Sequence, residues 1–112
     1  MERVEKYKDL VYQELKKRQS IKIANAPSLS RHLIVHQDRT EFILMDVGWL
    51  KKRYISDVIF HIGIKDGKVW VHNDFTDIGI ADYLAEAGIP KSDIVLAFLP
   101  SYAKGMTEFG VV

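Results

Sequence analysis

Tyr54-Ile-Ser-Asp-Val-Ile-Phe-His-Ile-Gly-Ile-Lys-Asp-Gly-Lys-Val-Trp-Val-His-Asn-Asp74 decides the fold. Two alternating runs meet at Asp66-Gly67, a dipeptide that accepts the positive φ values of a type I′ turn, so the stretch reads as a β-hairpin. With Lys65 opposite Lys68, a side-chain period of two pairs Ile64 with Val69, Gly63 with Trp70, Ile62 with Val71, His61 with His72 and Phe60 with Asn73. Phe60, Ile62, Ile64, Val69 and Val71 then share an apolar face. The opposite face carries His61, Trp70 and His72, and Gly63 leaves room for the indole.

Upstream, Val4, Tyr7, Val11 and Leu15 fall at helical spacing among charged residues, which predicts one amphipathic helix from about Glu2 to Arg18. Lys16, Lys17 and Arg18 close its last turn, where cations complement the helix dipole. Ser20 to Ser30 reads as a loop in which Ile21 and Ile23 can form a short edge strand. His32 to Gln37 is a strand candidate, Asp38-Arg39 a turn, and Glu41 to Trp49 a central returning strand. Its Ile43, Met45, Val47 and Trp49 face is apolar. Leu50 to Arg53 forms the tip that leads into the long hairpin.

Downstream, the period changes to 3.6. Ile80, Leu84 and Ala87 share one face of a short helix that Thr76 or Asp77 caps and Gly88 ends. Pro90 to Asp93 reads as a turn, and Ile94 to Phe98 as a buried strand closed by Pro100. The fold class is α+β: an N-terminal helix, a mostly antiparallel sheet of four to five strands, a second helix and a short C-terminal segment.

The chain has 112 residues, enough for a single domain over residues 1–112 with its own core and no need of staples. With Cys 0, disulfides, thiolate metal sites and cysteine nucleophiles are excluded. The charged start Met1-Glu-Arg-Val-Glu-Lys6 is unlike a signal peptide and no run reaches membrane-spanning length, so a cytoplasmic protein without membrane contact is expected. Lys+Arg 16 against Asp+Glu 15 gives a net charge of +1, so the global positive field of a protein that grips phosphates is missing.

Three constellations remain as candidates. The histidines His32, His36, His61 and His72 form two pairs of the kind that bind zinc or nickel, but no carboxylate sits at a matched ligand spacing. No metal or cofactor is therefore predicted. Leu-Lys-Lys-Arg occurs twice, and Lys16, Lys17, Arg18 with Lys51, Lys52, Arg53 are the candidate phosphate contacts if DNA is bound. Asp66 makes a turn, Asp77 begins a helix and Asp82 faces solvent, which leaves Asp74 alone and no catalytic carboxylate pair. No hydrolase elbow, Walker loop, zincin or dinucleotide motif is present, and no catalytic residue is assigned.

Asp46-Val-Gly-Trp49, His61 to Trp70, Asp74-Phe-Thr-Asp-Ile-Gly-Ile-Ala81, Ala87 to Leu96 and Thr107-Glu-Phe109 together resemble the XisI family, named for the fdxN-element excision controlling factor of cyanobacteria. The helix with Tyr7 fits the same pattern. Gly63 stands where the family commonly has an acidic residue, and His72 where glutamine is common, so no role on that face is carried over. The resemblance implies a non-enzymatic, cytoplasmic accessory factor in programmed excision of a DNA element during heterocyst differentiation, with recombination left to a separate recombinase. It also implies a nuclease-like XisH-type protein as partner. Trp49, His61, Trp70, His72 and Phe109 are the candidate interaction surface, since aromatic side chains dominate interface hot spots. Exposed sheet edges and aromatics point to a homodimer as well.

Overall fold

The structure is a computed structural model that describes residues 2–20, 28–74, 79–99 and 109–110. Helix α1 (Glu2–Gln19) is followed by β1 (Leu29–Val35), β2 (Glu41–Leu50), β3 (Arg53–Lys65) and β4 (Lys68–Asp74), then α2 (Ile80–Ala87), a short 3-10 turn and β5 (Ile94–Leu96). The five strands form one sheet in the order β1-β2-β3-β4-β5. Each neighbour is antiparallel except β5, which lies parallel to β4 after the crossover through α2. Among the described residues, no helix is long and apolar enough to cross a membrane.

One face of the sheet is covered. Phe42, Leu44, Phe60, Ile62, Ile64, Val69 and Val71 pack beneath Tyr7, Val11 and Leu15 of α1 and Ile80, Ala81 and Leu84 of α2. Burial of this apolar surface is the main force that holds the layers together. The long hairpin turns at Asp66 and Gly67, with φ of 55° and 73°, and Lys65 pairs with Lys68. Positive φ at both turn residues gives the ribbon the twist its strands need. A second two-residue tip, Lys51-Lys52, joins Leu50 to Arg53 across β2 and β3.

Two β-bulges alter the register expected from strict alternation. Between β2 and β3, Leu44 pairs with Phe60 and Met45 with Val58, so Ile59 is an extra residue on β3. Between β3 and β4, Ile62 pairs with Val71 as expected, but His61 pairs with Asn73 and Phe60 with Asp74. His72 is therefore the extra residue, and the expected pairs His61 with His72 and Phe60 with Asn73 are displaced by one. A bulge sets two consecutive side chains against one partner and re-aims them.

Other expectations need adjusting. β1 ends at Val35, so His36 sits in the following loop, not on a strand face with His32. There its Nδ1 lies 2.6 Å from Asp38 Oδ1. The Ile43, Met45, Val47 and Trp49 side of β2 reads as apolar, yet Phe42 and Leu44 on the other side fill the core. Ala87 is exposed, and Ala81 joins Ile80 and Leu84 on the buried face of α2. Gly79 is the N-cap residue of that helix; Thr76 and Asp77 lie outside the described residues, as do Ile21 and Ile23. β5 stops at Leu96, and Phe98 is exposed in the turn that follows.

Polar ties fix the helical layer on the sheet. The Tyr7 hydroxyl donates to Asp93 Oδ2 and so links α1 to the start of β5. Burial, reinforced by that carboxylate, pushes the Tyr7 hydroxyl up to about 12. Arg31 on β1 grips Asp46 on β2 through Nε at 2.7 Å and Nη2 at 3.1 Å, and its Nη1 donates to the Arg18 carbonyl at 3.2 Å. The fork of a guanidinium suits such a two-pronged grip.

Candidate functional site

The sheet face opposite the two helices carries most of the functional candidates among the described residues. Strand alternation sends Ile34 of β1, then Ile43, Met45, Val47 and Trp49 of β2, to this side, while their neighbours in sequence enter the core. At its far end, Trp49 pairs with Tyr54 across the β2-β3 tip, and the two rings meet edge to face with centroids 5.3 Å apart. Both are strongly exposed, Trp49 at 57% and Tyr54 at 54%, and Leu50 beside them at 38%. Large aromatic surface left in water at a strand tip is the usual raw material of an interface anchor.

At the near end, three polar side chains converge from three strands. Glu41 begins β2, His61 lies on β3 and His72 is the bulged residue of β4. Glu41 Oε1 is 2.9 Å from His61 Nε2, and the two imidazole centroids are 4.6 Å apart at an interplanar angle of 38°. One ligand atom from each residue lies within 4.8 Å of the other two. Desolvation, with the His61 imidazole adding to it, lowers the His72 pKa from its ordinary value, while Glu41 pulls it back.

Gly63 makes the cluster possible, though not by the expected route. A Cβ there would lie 3.0 Å from both Glu41 carboxylate oxygens and 3.2 Å from His72 Nε2. The space serves the carboxylate and the imidazole, not the indole. Trp70 turns aside and donates its indole N–H to the Lys65 carbonyl at 3.0 Å, with the Lys65 ammonium 5.9 Å from its ring. Glu41 had no signal in the local pattern, because only pairing with β3 brings it opposite Gly63.

The two basic clusters differ in availability. Glu14 is buried in α1 and holds Arg18 Nε at 3.3 Å and Lys17 Nζ at 3.8 Å. The Arg18 guanidinium also stacks 4.3 Å from the Tyr83 ring and 5.6 Å from that of Phe60. Arg18 is thus a structural contact between α1, α2 and β3, and Lys16 remains exposed. Lys51, Lys52 and Arg53 are all exposed at the aromatic tip. Phe109 is half-buried against the core beside β5, with Lys91 5.9 Å from its ring.

Residues 1–111 match the XisI protein family. The chain belongs to the XisI family. Two solved structures, both from Anabaena variabilis ATCC 29413, share the fold along nearly the whole length. One, a XisI-like protein, is 32% identical with a TM-score of 0.88, covering 97% of this chain and 99% of its own. The other, the fdxN element excision controlling factor XisI, is 28% identical with a TM-score of 0.80, covering 96% of this chain and 97% of its own. No functionally curated protein matches the chain. Within this XisI fold, the helices lie on one side of the sheet, and Glu41, Trp49, His61 and His72 lie on the other.

Proposed function

We propose that this XisI-family chain is a non-catalytic accessory factor in programmed excision of a DNA element in a cyanobacterium, and that it acts by binding a nuclease-like XisH-type protein. Family membership and the relative described as an excision controlling factor support the process. The observation that supports the mode of action is the exposed Trp49-Tyr54 pair, continuous with Ile43, Met45 and Val47 on a sheet face that neither helix covers. An aromatic anchor at the end of a half-apolar face can bury enough surface to hold a protein partner.

The test is co-purification of the tagged chain with the XisH-type protein, followed by a binding titration. Association with a Kd below roughly 10 μM, weakened at least about tenfold by Trp49→Ala, is expected. No association at tens of micromolar, on the order of the weakest specific complexes, contradicts the proposal. Light scattering of the chain alone reads the competing occupant of this face, a second copy in a homodimer.

DNA contact is the alternative, favoured by exposed Lys51, Lys52 and Arg53 beside the aromatic pair. Aromatic stacking with neighbouring cations is how many proteins hold single strands. It predicts a steep loss of DNA affinity with salt that is flattened when the three residues become Ser. An unchanged salt slope removes this reading.

A further inference from the structure

We propose that Glu41, His61 and His72 form a three-ligand site for a divalent transition-metal ion of the zinc, nickel and copper group. Two imidazoles and a carboxylate are the donor set these borderline ions favour, and magnesium or calcium would demand more oxygen. The carboxylate missing from the local sequence pattern is Glu41, delivered by the neighbouring strand. His72, the bulged residue of β4, supplies the third donor, with its ring centroid 4.6 Å from that of His61.

The geometry is close to what an ion needs. A tetrahedral ion with bonds of about 2.1 Å holds its donor atoms about 3.4 Å apart. Glu41 and His61 already approach to 2.9 Å, and all three donors lie within 4.8 Å of one another. Rotation of exposed side chains closes that gap without moving the sheet. Gly63 provides the floor, because even a Cβ there would press on the Glu41 carboxylate at 3.0 Å and on His72 Nε2 at 3.2 Å. Glu41 and His72 are exposed, so water or an outside ligand can complete the shell.

An ordinary ion pair between Glu41 and His61 explains the 2.9 Å contact but not the third donor. The three residues come from three strands, so a bound ion would tie β2, β3 and β4 together across both hairpin partners. Binding to the native state alone raises the melting midpoint.

Zinc titrated into the metal-free chain by calorimetry is the direct test, with cobalt as a spectroscopic substitute. We expect one equivalent bound, a raised thermal midpoint and a cobalt visible band. His61→Gln, His72→Gln or Glu41→Gln should each weaken binding at least about tenfold, since loss of even an outer-shell partner costs that much. His32→Gln and His36→Gln should leave it unchanged. In the wild-type chain, nuclear magnetic resonance should show the His61 and His72 rings shifting with zinc while His32 and His36 stay put, which keeps the test valid if a variant folds poorly. No uptake by the wild type, full affinity in the His61→Gln and His72→Gln variants, or ring shifts at His32 and His36 instead would each overturn the site.

Discussion

The two faces of one sheet do opposite things. Under the helices, Phe42, Leu44, Ile62, Val69 and Val71 are wholly buried, and a change of one methylene there disturbs close packing. On the other side Ile34 is 50% exposed, Trp49 57%, and Glu41 with His72 stand in solvent. The covered face stores the stability of the fold. The bare face is free to vary in chemistry, which is why the proposed partner surface and the proposed ion site both lie on it. The bulges at Ile59 and His72 shift the register on both sides of β3, while Phe60 and Ile62 stay inward and the imidazoles stay on the opposite face.

The contrast can be broken or sharpened by substitution. Phe60→Ala on the covered face removes a ring that is 1% exposed and should destabilise the fold by about 3–5 kcal/mol, read from denaturant unfolding. Tyr7→Phe, at the rim of the helical layer, should cost about 1–2 kcal/mol through the lost hydrogen bond to Asp93. Tyr7 also carries a pH signature. Its hydroxyl is pushed from 10.0 to about 12, so the native state favours the protonated form. The unfolded chain gives up that proton first, and stability present below pH 10 should decline as pH rises toward 12, a decline reduced in Tyr7→Phe. Ile34→Ser on the bare face should change stability by less than about 0.5 kcal/mol. A large loss there would mean that the bare face also holds the fold.

Much of this was legible in the residues and some was not. Asp66-Gly67 announced the hairpin, because few other dipeptides accept two positive φ values, and the pairs nearest the turn followed. Val4, Tyr7, Val11 and Leu15 marked the packed stripe of α1 for the same reason of period. The register beyond Ile62 was lost because periodicity has no memory of a bulge. For the other bulge, between β2 and β3, the adjacent apolar pair Ile59-Phe60 was the available trace, since strict alternation cannot turn both inward. The orientation of β2 was also hidden: both of its faces are apolar, and only helix docking decides that Phe42 and Leu44 go in. Glu41 was unreadable as a site residue, because its meeting with His61 spans twenty positions and depends on strand pairing. The packing of Arg18 is hidden for a related reason, as buried Glu14 and the Tyr83 ring draw it inward from a basic cluster that reads as exposed.

Hydroxyl-radical footprinting with and without the XisH-type protein tests most directly whether the bare face is the working surface. Trp49, Tyr54 and Met45 should lose reactivity in the complex, while Tyr12 on α1 and Phe98 after β5 keep theirs. Protection of Tyr12 and Phe98 with Trp49 and Tyr54 unchanged would place the partner elsewhere and contradict the division of labour between the two faces.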